Sequence, residues 1–168
     1  MKSWKAGMVA GAVVVCGLAT PALARDREIK QSEVPAVVMK AVNSKYPDAK
    51  PSKFSTETEK GKPVYEVKLD VGGKSTELSF APDGTLLAEE QVIDVGELPA
   101  SVKSALSASS YAKAKILRAE KEQKDGATRY EVLVEEQGKK SEVVFDAGGK
   151  LVKHEEKKAG GKEADEAD

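Results

Sequence analysis

The chain contains a copy of itself. Val64-Tyr65-Glu66-Val67 returns 65 residues later as Arg129-Tyr130-Glu131-Val132, and the neighbours return with it: Gly61 and Gly126, Gly73-Lys74 and Gly138-Lys139, Phe80 and Phe145, Gly84 and Gly149, Leu86 and Leu151. Self-similarity of this length marks two equivalent structural units, each too small to bury a core well alone. The two are therefore expected to share a sheet or an interface. A repeat specifies architecture and says little about chemistry.

The N-terminus carries Lys2 and Lys5, an apolar run over Ala6 to Ala19, and Thr20-Pro21-Ala22-Leu23-Ala24. That order predicts a signal peptide over 1–24, cleaved after Ala24. The run is about 14 residues, short of the roughly 18 to 20 that span a bilayer, so no membrane span is expected in the mature chain. Cys16 is the single cysteine, and Val15 before it argues against lipoprotein processing. Cleavage would leave no thiol, hence no disulfide and no cysteine nucleophile. It would also leave 25 basic against 28 acidic side chains, a charge of −3. A balance of both signs is no nucleic-acid footprint, which needs a basic face or stripe.

The rest of the chain is read by period. Arg25 to Gln31 are expected as a solvated lead-in. Ser32 offers an N-cap, Pro35 suits a first helical turn, and Val34, Val38, Ala41 and Val42 lie on one helical face. Pro47 ends this helix near Tyr46. Leu98, Pro99, Val102, Ala105 and Leu106 repeat the pattern at an offset of 64, with one residue inserted before Tyr111. The period then falls to two: Tyr65, Val67, Leu69 and Val71 alternate with Glu66, Lys68 and Asp70, as in a half-buried strand. Two-residue loops at Gly72-Gly73 and Gln137-Gly138 set Tyr65 against Phe80 and Tyr130 against Phe145. They also oppose Lys68 to Glu77 and Glu135 to Lys140, favourable charge pairs that a one-residue slip would lose. Pro82-Asp83-Gly84 and Ala147-Gly148-Gly149 predict turns with a bulge. First strands fall near 50–59 and 115–124 and fourth strands near 85–92 and 150–155. Each unit is one helix followed by a four-stranded antiparallel meander. The expected organisation is α+β with two tandem αββββ repeats, at 33–93 and 97–155, and a disordered charged tail at 156–168.

Leu98-Pro99 with Val34-Pro35, the helix, Tyr46-Pro47-Asp48-Ala49, the Tyr-Glu-Val strand and the Phe-x-x-x-Gly-x-Leu turn together resemble the PepSY-like family, also described as beta-lactamase-inhibitor-like. The resemblance covers residues 33–155, in order and twice. It implies helices packed on one face of antiparallel sheet and an open opposite face. It also implies a binding or inhibitory module of the bacterial envelope. Two departures stand out: the repeats lack disulfides, and Ala112 takes the place of Pro47. Inhibition of a particular enzyme does not carry over.

Few residues suggest chemistry. His154 is the single histidine, with no sequence context for a nucleophile beside it and no second histidine or mature cysteine to share a zinc. Asp83-Gly84 lacks the spaced oxygen ligands of a calcium loop, and Gly148-Gly149 lacks the lysine and helix start of a phosphate loop. Neighbouring glutamates such as Glu89-Glu90 and Glu135-Glu136 point to opposite faces of a strand. Tyr65, Phe80, Tyr130 and Phe145 belong to the core by their pairing. No catalytic, cofactor or metal site is expected. Alternation does place Leu133 and Val144 on the face opposite Tyr130, Val132, Val143 and Phe145, ringed by Glu131, Glu135, Lys140 and Glu142. An apolar centre with a charged rim is the form of a protein-binding surface. The sequence thus predicts a non-enzymatic exported module, periplasmic or extracellular, that recognises a protein or peptide through this face. The alternative is a structural or stress-related envelope protein without a dedicated ligand.

Overall fold

The computed structural model describes residues 27–157. The predicted leader at 1–24 with its cleavage point, and the predicted tail beyond Lys157, lie outside the described residues. A short strand β1 (Arg27–Glu28) leads through a 3-10 turn (Gln31–Glu33) into helix α1 (Ala36–Lys45). Strands β2 (Pro51–Glu59), β3 (Lys62–Val71), β4 (Lys74–Phe80) and β5 (Leu86–Ile93) follow. A second 3-10 turn (Val95–Glu97), helix α2 (Ala100–Ala108) and strands β6 (Lys115–Lys124), β7 (Ala127–Glu136), β8 (Lys139–Asp146) and β9 (Leu151–Lys157) repeat that order. All the strands form one nine-stranded sheet whose spatial order is the chain order, every neighbour antiparallel. The protein is α+β, and its two halves share a continuous sheet through the pairing of β5 with β6, from Ala88–Lys124 to Ile93–Ala119.

The predicted registers are present: Tyr65 faces Phe80 and Lys68 faces Glu77, while Tyr130 faces Phe145 and Glu135 faces Lys140. The connecting pairs explain why. Gly72 and Gly73 have φ of 64° and 83°, and Gln137 and Gly138 have 53° and 78°. Two successive left-handed residues make the hairpin turn whose twist matches that of the strands, and this turn fixes the register.

Two expectations near the first helix need correction. Ser32 does not cap α1; it lies in the 3-10 turn, which is closed by the Lys30 backbone N–H donating to Glu33 Oε2 at 2.9 Å. Val34 is held extended by the proline after it, so the helix starts only beyond Pro35. The second turn closes identically, Asp94 N–H donating to Glu97 at 2.9 Å. The lead-in is also more than solvated chain: β1 pairs with β2, and Ile29 is buried, its N–H donating to Phe54 O at 2.9 Å. At the other end, Glu156 and Lys157 belong to β9 rather than to a disordered tail, because the ladder with Ser141 and Lys140 orders them.

Both helices lie on one face of the sheet. Val38 and Val42 of α1 pack on Val67, Leu69, Leu78 and Phe80, and Val102 and Leu106 of α2 pack on Val132, Val134, Val143 and Phe145. Tyr65 and Tyr130 sit half-buried at the margins of these clusters. The turns after β4 and β8 run under the helix starts. Gly84 and Gly149 have φ of 84° and 85°, and an added Cβ would stand 3.0 Å from Val37 O at the first and 2.5 Å from Ser101 O at the second. Gly149→Ala therefore combines a strained backbone with a clash against helix backbone. Its cost is expected to be about 2 kcal/mol or more and to exceed that of Gly84→Ala, read as a larger drop in the urea midpoint.

Candidate functional site: the helix-free face

With the helices on one side, every second residue of each strand faces the other. The register assembles these residues into rows. Lys53, Lys68, Glu77, Glu90, Glu122, Arg129 and Asp146 stand side by side from β2 to β8. The adjacent row holds Val92, Glu120, Glu131, Val144 and Lys153 from β5 to β9, and the next Arg118, Leu133, Glu142 and Glu155. Neighbouring strands lie about 4.8 Å apart, so β2 and β6 in a flat sheet would be roughly 19 Å apart. Lys124 Nζ nevertheless meets Glu59 Oε1 at 3.3 Å. The sheet therefore curls toward its helix-free side. Beyond that bridge the face holds a groove of about 940 Å³ lined by residues of both halves, including Glu77, Glu90, Glu120, Glu131, Glu142 and Arg118.

All six residues expected at a partner surface share this face, as strand alternation requires. Their exposure differs from the expectation. Leu133 and Val144 are 8% and 3% exposed, so the apolar pair expected at the centre is covered. Leu133 stands between Arg118 and Glu142, and Val144 between Glu131 and Lys153; long charged neighbours flank each aliphatic side chain on both sides. Ion pairs tie this cover together: Lys153 Nζ lies 3.3 Å from Glu142 Oε1, and Lys157 Nζ 2.5 Å from Glu142 Oε2. The surface here is a charged layer over a thin apolar one, the stems of lysine and arginine being themselves apolar cover.

The seam between the halves carries the strongest electrostatic signature. Glu90 sits between Glu77 and Glu122 in its row, and like charges directly opposite each other repel. Glu122 is buried and paired with Arg129 at 3.2 Å, and Arg118 pairs with Glu120 at 3.3 Å. Burial first, then the charges of Glu131, Glu77, Glu120 and Glu122, push the Glu90 carboxyl up to about 8. Burial and then Glu142, Glu120 and Glu122 push Glu131 up to about 7, with Lys153 pulling the other way. Burial acts on Glu142 as well, but Lys157 and Lys153 together outweigh it and hold its carboxyl below the ordinary value. Glu131 and Glu142 were legible in the sequence as rim charges. Glu90 and Glu122 were not, because their proximity exists only through the pairing of β5 with β6.

The helix side adds one matched detail. Tyr46, just past α1, donates its hydroxyl to Glu89 on β5, and Lys45 Nζ joins the same carboxylate at 2.9 Å. Burial, then Glu89, raises the Tyr46 hydroxyl to about 12. At the equivalent place Tyr111 meets His154 Nε2 at 2.5 Å, ring centroids 5.4 Å apart. His154 thus tethers the turn after α2 to β9, a structural role. Among the described residues no group of three or more His, Cys, Asp or Glu side chains is arranged to hold a metal ion, and no helix is long and apolar enough to cross a membrane.

Two helices on one face of an antiparallel meander, with the other face curled open and charged, define a class of small α+β modules. Within that class the chain belongs to the family described as "Putative beta-lactamase-inhibitor-like, PepSY-like", whose profile matches residues 22–88 and 64–153. No curated protein matches. Solved structures share the fold. A "putative periplasmic" protein of Bacteroides eggerthii aligns with a TM-score of 0.64 at 19% identity, over 73% of this chain and 88% of its own. A DUF2874 family protein of Bacteroides uniformis gives 0.63 at 18%, over 73% and 88%. A BLIP-like protein of Bacteroides fragilis gives 0.58 at 24%, over 73% and 86%.

Proposed function

We propose that this chain is an exported, non-enzymatic module that binds a protein or peptide partner across its helix-free groove. The observation that carries the reading is the groove itself: residues from both halves line it, and carboxylates outnumber cations along it. Electrostatic complementarity then favours a partner segment carrying lysine or arginine side chains. Export is supported by the leader at 1–24 and by structural relatives called periplasmic. The family's description makes inhibition of an enzyme one consequence that binding could have; no target enzyme is implied.

This reading fixes a pH dependence. Glu90 and Glu131 hold protons up to about 8 and 7, so raising the pH from 6 to 9 adds negative charge to the groove. Affinity for a basic partner should increase across that interval, and Glu90→Gln with Glu131→Gln should flatten the profile. The test is photo-crosslinking from position 120 in the native host, followed by titration of the identified partner with purified protein. Glu120→Lys with Glu131→Lys should leave the circular dichroism unchanged and abolish binding. Undiminished binding by that folded variant would sink the groove as the site. The covering of Leu133 and Val144 favours the second reading, an envelope protein without a dedicated ligand, and the absence of any crosslinked partner would select it.

A further inference from the structure

We propose that the free edge of β9 pairs with β9 of a second copy of this chain, joining two sheets across a two-fold axis at His154. The protein itself displays what such an edge accepts. β5 and β9 hold the same place in the two halves: Phe80 pairs with Leu86 and Phe145 with Leu151, each ladder shifting register at that aromatic residue. The outer edge of β5 is covered by β6, and its residues after Leu86 are buried or half-buried. β9 has no outer neighbour among the described residues, and Leu151 through Glu156 are all exposed, Leu151 by 54% and Val152 by 49%. Such a row of unpaired backbone donors and acceptors is a template for another strand.

Copying the seam of β5 and β6 head to tail would bring β9 onto β2 of another molecule. That edge is already held: Arg27 and Glu28 pair with Thr56 and Ser55, and Ile29 bonds to Phe54. Joining β9 to β9 displaces no described strand and closes after two copies, the commonest symmetry of homo-oligomers.

The charges select one register. Residues directly opposite in an antiparallel pair share a face, so keeping all helices on one side, as α1 and α2 are, puts the axis at a residue and not between two. Lys153, Glu155 and Lys157 lie on the helix-free face opposite Val144, Glu142 and Lys140. An axis at Lys153 opposes that lysine to itself. An axis at Glu155 opposes Glu155 to itself and Lys153 to Lys157. An axis at His154 opposes Lys153 to Glu155 of the second copy twice, and sets Val152 against Glu156 outside them, short of the register shift before Leu151. Lys153 and Glu155 lie 2.8 Å apart within one strand, so dimerisation exchanges one ion pair for an equivalent one.

A charge swap tests the register. Sedimentation of the purified protein should show a reversible dimer. Lys153→Glu, which sets two acidic pairs across the axis, should weaken it roughly tenfold or more. Adding Glu155→Lys should restore it. Lys153 also pairs with Glu142, so circular dichroism must show each variant folded, and amide exchange over Leu151 to Lys157 of the unaltered protein supplies a reading free of mutation. That exchange should slow as concentration rises. A protein monomeric at all accessible concentrations, a double variant no better than the single one, or exchange independent of concentration would each overturn the proposal.

Discussion

Phe145→Ala should cost about 3 to 5 kcal/mol of folding stability, the range for emptying a fully buried aromatic site. Phe145 is 2% exposed and packs with Val102, Leu106, Val132 and Val143 beneath α2. Nothing can collapse into the space it leaves without moving that helix, whose start already rests on the turn at Gly149. Phe80→Ala, in the matching place beneath α1, should cost a similar amount. Tyr130→Ala should cost less than either, because Tyr130 is only half-buried at the edge of its cluster. The two clusters share no residue, yet β5 and β6 join the halves, so the denaturation curve of Phe145→Ala tests how tightly they are coupled. A single shifted transition means one cooperative body. A biphasic curve with early loss of near-ultraviolet signal means the second half opens alone, as units of this size can. A total loss under about 1 kcal/mol would place the ring outside the core.

Glu90→Gln should stabilise the protein at alkaline pH and leave it nearly unchanged at acid pH. The sign follows from proton binding. The unfolded carboxyl releases its proton near 4.5 and the folded one near 8, so between these values the folded state holds the extra proton. Stability therefore falls as pH rises through that window, and the full penalty is reached above about 8. A shift of this size corresponds to about 1.4 kcal/mol per unit for an isolated group. Solvent access and the sharing of repulsion among Glu77, Glu120, Glu122 and Glu131 reduce it, so a gain of about 1 to 3 kcal/mol near pH 9 is expected. Glutamine keeps the shape and hydrogen-bonding capacity while removing the charge. Urea denaturation of both proteins at about pH 5 and about pH 9 measures the difference; equal gains at both would show packing and not ionisation as the cause. A surface that retains such a penalty is consistent with a groove whose carboxylates are matched by charges from elsewhere.

Much of this fold was legible in the residues because its determinants are local. A helix that must end near Tyr46 before Pro47, hairpins closed by Gly72-Gly73 and Gln137-Gly138, and alternation from Tyr65 to Val71 each depend on residues within a few positions of one another. The pairing of Tyr65 with Phe80 and of Tyr130 with Phe145 follows from those turns without reference to anything distant. The absence of thiols beyond Cys16 and the face shared by Glu131, Leu133, Glu135, Lys140, Glu142 and Val144 are equally properties of the sequence. What it could not give was whatever depends on the partner of an edge. β5 might have been left free or covered by any strand. Only the tertiary structure pairs it with β6, merging two half-sheets and bringing Glu90 beside Glu122. The curl that closes Lys124 on Glu59, the charged neighbours that cover Leu133 and Val144, and the packing of Gly149 against Ser101 likewise arise between segments far apart in the chain. Their energies are sums over the whole sheet and its helices, and no local pattern encodes such a sum.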